Sequence, residues 1–521
     1  MKSVENSHSL RESTTHHAHL GAVRRLLFPG FAMRNPSRSA LPIALTLAGL
    51  GMTGCGTDTS APGGDPPPAP RATWYRDVGP ILSEHCMSCH QDGGIAPFSL
   101  TDADRARDYA QLAVTRIDQG VMPPFDAREE SGCTPRFGWT DDPRLTDAEK
   151  QKLRDWISDG YALGDQQTIA EPPSTALPGV TQTLAPVAPF VAAGDRDQFT
   201  CFVLDPKATK LSWMTGLQVR PGNDKVVHHV VISEVQTGPE LTKLVTDHGI
   251  GQPFNCDQMA TPNQFVISIW TPGNQPMQTP SELAVPIFAG AGLVMQIHYH
   301  PAGMVNEPDT TVVDLRMSPV APKRIYAILA FGNEAQAPNL LPDPDDIGAP
   351  QFMVPRNAVD HVEHMRRQVP SLGTFTDVRL YSANPHMHLV GTHIAGRIER
   401  PAVRGGEPQT ECLANGGWNF DWQRTYIYDA PLDQLPSIAP GDTIDIACHW
   451  NNTIGNPFVQ RMLNDSHLPP LPVDISLGEQ TTNEMCLEIF GVAAALPAQL
   501  TLDDPAASAQ LSAAMAGLQL Q

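Results

Sequence analysis

Cys86-Met87-Ser88-Cys89-His90 places two thiols three positions apart and an imidazole directly after the second. That run suits covalent attachment of a c-type haem: the thiols add to the vinyl groups and the adjacent His supplies an axial nitrogen. A disulfide between the two cysteines, or half of a zinc site, are the competing readings; zinc wants a second ligand pair at similar spacing, which Cys133 alone does not make. The other axial position calls for a downstream ligand, and Met122, in the loop Val121-Met122-Pro123-Pro124, is the candidate. A second constellation runs from residue 228 to residue 485: His228-His229, His298, His386, His388 and Met485. Imidazole with thioether suits copper, especially Cu(I), better than zinc or magnesium. His386 and His388, at i and i+2, project from one face of a strand, whereas His228 and His229 need a bulge or a strand end to face one metal. His300 rivals His298 because it shares that residue's face. Taken singly, His248, His361, His364, His393, His449 and His467 read as ordinary core or surface imidazoles.

Two textures are available to position these groups. From Trp74 to Gly164 the pattern is helical, with periodic apolar positions from Asp102 to Gln119 and a Thr146 N-cap with nearby acids before Lys150 to Ile157. A small all-α domain over 71–165 is expected. This segment resembles the cytochrome c family in its early attachment motif, its Met-Pro loop, and a C-terminal helix whose Trp156 would pack on the core; Met/His ligation is usual there. A Pro-rich stretch, 171–189, follows, and from about residue 195 short alternating strands take over: Lys225 to Val235, Gly292 to His300, Phe375 to Tyr381, Leu389 to Ile398 and Asp442 to Trp450. The expectation is a mixed multidomain chain, with two all-β, jelly-roll-like sandwiches over 190–335 and 336–498 after the helical domain. Residues 334–358 would be a long Pro/Asp-rich connection and 499–521 an Ala/Leu/Gln-rich tail.

The length of 521 residues exceeds what one hydrophobic core usually supports, and 50 prolines favour loop-rich β structure over long helices. A net charge of -21 argues against nucleic acid or an anionic membrane surface as partner. Near the start, Met33-Arg34-Asn35-Pro36-Ser37-Arg38, an apolar run from Leu41 to Met52, and Thr53-Gly54-Cys55 read as a signal peptide. The small residues before Cys55 resemble a bacterial lipoprotein cleavage site, making Cys55 a lipid anchor and 56–70 a tether; a plain secretory signal is the alternative. Residues 1–32 precede a complete signal and read as an upstream extension. The implied place is the bacterial cell envelope, as a periplasm-facing or outer-membrane lipoprotein. In that oxidising compartment Cys133, Cys201, Cys256, Cys412, Cys448 and Cys486 form an even set with fifteen possible pairings.

The segments VVHHVVI, MQIHYH, NPHMHLVGTHI and GEQTTNEMCLEIF, in that order between about residues 195 and 495, resemble the motifs of the copper type II, ascorbate-dependent monooxygenases, the family of peptidylglycine and dopamine hydroxylases. The resemblance implies two β-sandwiches, each with one copper: His228, His229 and His298 holding an electron-supplying ion, and His386, His388 and Met485 an oxygen-binding one. It also implies a disulfide between Cys486 and Cys448. Cys201–Cys256 is a further guess, because the family's strand cysteine after the His-His pair is missing from Val230 to Val235. Where the peptide hydroxylase holds its substrate carboxylate with Arg and Tyr, this chain has Asn384 and Ile489, which makes a peptide-glycine substrate unexpected.

The expected function is therefore hydroxylation of a C–H bond of a small-molecule substrate by O₂, with two copper ions and one covalent haem c as cofactors. The fused haem suggests electrons drawn from a periplasmic or membrane donor rather than from ascorbate, by an intramolecular transfer independent of carrier concentration. Two other classes compete: a non-catalytic copper and haem electron-transfer protein on the same scaffold, and a haem-only cytochrome joined to a carbohydrate-like binding module.

Overall fold

The computed structural model describes residues 69–128, 132–194, 196–256, 259–301, 303–344, 346–496 and 507–518. The signal segment, Cys55 and most of the tether lie outside the described residues. The architecture is mostly β, with six α-helices among the described residues, and no described helix is long and apolar enough to cross a membrane.

Three helices lie in the N-terminal segment: α1 (Gly79–His85), α2 (Ala103–Asp118) and α3 (Asp147–Ser158). Their ends follow from local chemistry. The Asp102 carboxylate accepts the Arg105 N–H at the start of α2, and Thr146 and Glu149 cap α3 reciprocally. Trp156 is buried, packs on Trp74 at 5.7 Å and Tyr161 at 5.1 Å, and donates its indole N–H to the Ala162 carbonyl. With Val78, Leu82, Leu100, Val114 and Leu153 it forms a hydrophobic cluster separate from that of the sheets.

The β region is layered. A five-stranded antiparallel sheet carries Gln198–Leu204, Gly292–Tyr299 and Val227–Val235 at its centre, and a four-stranded one runs His361–Gln368, Thr443–Trp450, Gly391–Glu399, Thr410–Gly417. Both share a core with a ten-stranded sheet that runs through the two halves. Arg324–Gly332 makes it continuous: it pairs along its whole length with Leu487–Ala495 and, for two residues, in parallel with Leu283–Ile287. The strand just before residue 335 thus belongs to both sandwich halves.

Strands appear where alternation predicts them, with shifted ends. Val378–His386 begins later and runs further than the Phe375 to Tyr381 pattern, because its pairing with Leu487–Ala495 continues to His386. Two helices interrupt the expected all-β texture, Pro239–His248 and Pro457–Asp465; each opens with proline, whose missing N–H costs nothing in a first turn. The Pro/Asp-rich connection holds one short strand, Met353–Val354, and residues Ala507–Ala516 of the tail are helical.

Six cysteines pair. Cys448–Cys486 and Cys201–Cys256 join as expected, and Cys133–Cys412 links the N-terminal segment to the second half across 279 residues. Around that last bridge the two regions interlock. Ala127 pairs with Gly416 and Trp139 with Tyr428, Phe125 sits edge-on to Tyr426 at 5.1 Å, and Arg136 binds the carboxylates of Glu407 and Glu411.

Candidate metal centres

The first cluster is made by the ladder between Val227–Val235 and Gly292–Tyr299. His229 stands opposite His298, but the next partners are Val227 and Tyr299, so His228 is the extra residue of a bulge. That is what lets two adjacent imidazoles share one side. The ligand nitrogens of His228, His229 and His298 all lie within 4.8 Å of one another. Nδ1 of His229 is 3.2 Å from Nδ1 of His228 and 3.3 Å from Nδ1 of His298. On the far side of the His298 ring, Nε2 lies 3.0 Å from Asp197 Oδ2. Asp197 also receives Nδ1 of His300 at 2.6 Å and the Thr481 hydroxyl at 2.6 Å. His300 therefore sits behind His298, across Asp197, and outside the trio. Phe199 stacks on His298 and Phe420, from the second half, on His228. Desolvation pushes His228 and His229 well below the ordinary imidazole range, so both are neutral near pH 7.

The second cluster lies at a strand end. His386 is the last residue of Val378–His386, and His388 lies just beyond, with the two rings perpendicular and 5.3 Å apart. Each ring is fixed through Nδ1–H, His386 donating to Gln423 Oε1 at 3.0 Å and His388 to the Asn483 carbonyl at 3.1 Å. In the neutral ring this leaves the Nε2 lone pair for a metal. Burial holds His386 down to about 4 and His388 to about 3. Met485 is buried, two residues before the Leu487 that pairs with His386. Glu484 ties the pieces together: its carboxylate accepts N–H groups from His388 (2.9 Å), Val390 (2.7 Å) and Met485 (3.3 Å) and from the Trp450 indole (2.9 Å). Burial nevertheless raises this carboxyl to about 7. After burial and the neighbouring His298 and His228, positive charge on His386 or His388 would also oppose charge on His229. Asn384 and Ile489 are directly paired across the strands, with Asn384 donating to the Thr425 hydroxyl.

In the helical segment, Cys86 and Cys89 are free thiols beside six paired cysteines. Nδ1–H of His90 donates to the Phe98 carbonyl at 3.1 Å, and its ring rests on Phe98, which stacks on Tyr109. Met122 is half-buried, and its N–H binds the Arg116 carbonyl. A small apolar pocket lies among Val78, Leu82, Leu100, Ala110 and Trp156. A second small cleft opens between the N-terminal segment and the second sandwich, lined by Asp126, Trp139, Pro385, Trp418, Arg424 and Tyr426. Trp418 reaches the His386 ring at 5.7 Å.

Several supporting residues carry no signal that motif spacing detects. Asp197 lies 101 positions before His298, and Gln423 lies 37 after His386. Glu484 does have one: it is the acid immediately before Met485.

No family model matches the chain, and no curated protein matches its sequence. Among solved structures, the cowpea mosaic virus top component aligns at 8% identity over 58% of this chain and 90% of its own, with a TM-score of 0.22. The major capsid protein P2 of bacteriophage PM2 aligns at 10% over 52% and 97%, TM-score 0.17. A fucolectin from striped bass (Morone saxatilis) serum aligns at 8% over 58% and 85%, TM-score 0.12.

Proposed function

We propose that the chain is an envelope-anchored, copper-dependent monooxygenase that hydroxylates a C–H bond of a small substrate with O₂, receiving electrons through a fused c-type haem. The observation that carries this reading is the convergence of three imidazole nitrogens, from His228, His229 and His298, together with a second buried pair, His386 and His388, whose backbone is tied through Glu484 to Met485.

The donor sets fit the ions. Three imidazoles within 4.8 Å of one another suit a copper ion. At the second cluster, two imidazoles with fixed tautomers and a thioether suit the reduced ion. For the haem, two free thiols and a His whose Nδ1–H is already committed to Phe98 fit covalent attachment with Nε2 toward the iron, and Met122 would be the second ligand. Bound there, copper would supply one-electron chemistry with O₂ and the haem a one-electron relay. The chain's own residues do the rest. Asp197 orients His298 and favours electron density on its ring. Gln423 and Asn483 lock the rings of His386 and His388, and Glu484 holds their loop against Met485. Phe420 and Trp418 exclude water from the imidazoles, and the cleft beside Trp418 and Pro385 would receive substrate. Asn384 opposite Ile489 favours a less anionic substrate than a peptide carboxylate.

Metal and haem analysis of the exported chain, with His386→Ala and Met485→Ile beside it, tests the reading. The expected result is about two coppers and one haem per chain, each variant losing about one copper, followed by substrate-dependent O₂ uptake. Haem without copper, or copper indifferent to both substitutions, overturns it. Both metals without product under a substrate screen leave the electron-transfer alternative.

A further inference from the structure

A third convergence of ligating atoms lies outside both centres. His361 and Glu363 are i and i+2 on the strand His361–Gln368 and so share a face. Asp343 arrives from the Pro/Asp-rich connection. His361 Nε2 is 3.2 Å from Glu363 Oε1 and 3.8 Å from Asp343 Oδ2, and one ligand atom from each of the three lies within 4.8 Å of the others. The side chains are only 4%, 1% and 9% exposed for His361, Glu363 and Asp343. Backbone contacts aim them: the Met353 N–H donates to Glu363 Oε1, and the Asp346 N–H occupies Asp343 Oδ1, turning Oδ2 to the imidazole.

We propose that Asp343, His361 and Glu363 form a structural site for a divalent cation of zinc type. One imidazole nitrogen with two carboxylate oxygens is a set that Zn²⁺ accepts; the absence of sulfur disfavours Cu(I), and three protein ligands including a nitrogen fall short of the six to eight oxygens that Ca²⁺ takes. Two ionised carboxylates and an imidazole this close would carry net negative charge even with His361 protonated. Burial makes that costly, and a divalent cation reverses its sign. The site also has work to do in the fold, since a long connection with little secondary structure needs to be fastened. The ion would clamp the connection to the strand His361–Gln368, where His361 pairs with Trp450, the residue whose indole donates to Glu484. It thus stands one layer behind the His388 loop.

The experiment uses the full chain with zinc as the probe. Equilibrium binding is compared for the wild type and Glu363→Gln, each also in a His228→Ala/His386→Ala background that weakens both copper centres. The wild type is expected to bind one more zinc than Glu363→Gln, or to bind it at least about tenfold more tightly, in both backgrounds. Equal zinc binding with and without Glu363 overturns the site, as does displacement of that zinc by an equal concentration of Ca²⁺. Should Glu363→Gln fail to fold, Asp343→Asn with zinc-dependent melting replaces it. Zinc is then expected to raise the melting temperature of the wild type and not of the variant; an equal rise, or none in the wild type, overturns the site. These outcomes hold whether or not the chain is a monooxygenase.

Discussion

The two histidine clusters are assembled by opposite means. In the first half, neighbouring strands of one sheet deliver all three imidazoles, and a single bulged residue aligns them. Its alignment comes from the backbone ladder, with Asp197 fixing the His298 ring. In the second half, the strand ends at His386 before the pair is complete, so His388 and Met485 sit on irregular backbone. There the geometry is held by side chains and a cross-link: Gln423, the Asn483 carbonyl, Glu484 with its four donors, and Cys448–Cys486. A site held by register is stiff at no extra cost, whereas a site at a strand end needs a buried acid and a disulfide to match it.

The sharpest way to break this contrast is to remove the cross-link. Cys448→Ser/Cys486→Ser opens a bridge spanning 38 residues and is expected to lower stability by about 2–5 kcal/mol, measured by urea denaturation. Because Cys486 adjoins Met485, the copper proposed at the second centre should be lost with it, while the one proposed at the first is retained. Equal loss at both would show that the disulfide serves the whole fold instead.

A smaller effect tests the first centre. Asp197→Asn retains a polar side chain but removes the carboxylate behind His298, and is expected to weaken copper at the His228/His229/His298 centre about 10–100-fold, read by competition with a chromophoric Cu(I) chelator. Affinity at the second centre should not move. If it does, the Asp197–Thr481 hydrogen bond couples the two halves and the centres are not independent.

The parts of this arrangement that follow local periodicity were legible in the sequence. The Asp102 and Thr146 caps and the strand pattern around His229 and His298 follow from spacing along the chain, whereas the strand expected to carry both His386 and His388 ends at His386. The need for a bulge or a strand end at His228-His229 was legible too, because adjacent strand residues otherwise diverge, and the structure supplies the bulge. The Cys448–Cys486 pairing rested on resemblance alone, and nothing in the sequence joined Cys133 to Cys412. Less was legible wherever partners lie far apart with no period between them. Asp197 beside His298, Gln423 beside His386 and Asp343 beside His361 are isolated polar residues in the sequence, and only the fold supplies their meaning. The shared ten-stranded sheet was hidden for a related reason. Arg324–Gly332 reads as a largely apolar strand that either half could use, and it serves both.

The smallest expected effect concerns two buried acids, one in each half. Glu234, in the first, accepts the Phe288 N–H at 2.7 Å; Glu488, in the second, is fully buried with neither carboxylate oxygen hydrogen-bonded. Burial raises both to about 8. A carboxyl whose folded value lies above its unfolded one is protonated in the native state after the unfolded chain has released its proton. Stability then falls as pH rises from about 4.3 to about 8 and is flat beyond, at no more than about 1.4 kcal/mol per pH unit for each such group. Glu488→Gln keeps the shape and removes the titration, so the decline between pH 6 and pH 7 should shrink by up to about 1 kcal/mol in chemical denaturation. For Glu234→Gln, the replacement keeps an oxygen for the Phe288 N–H, and the pH slope should shrink similarly. Unchanged slopes in both variants would mean that these carboxyls ionise near their unfolded values, reached by water that the packing of Tyr428 and Gly396 against Glu488 is otherwise expected to exclude.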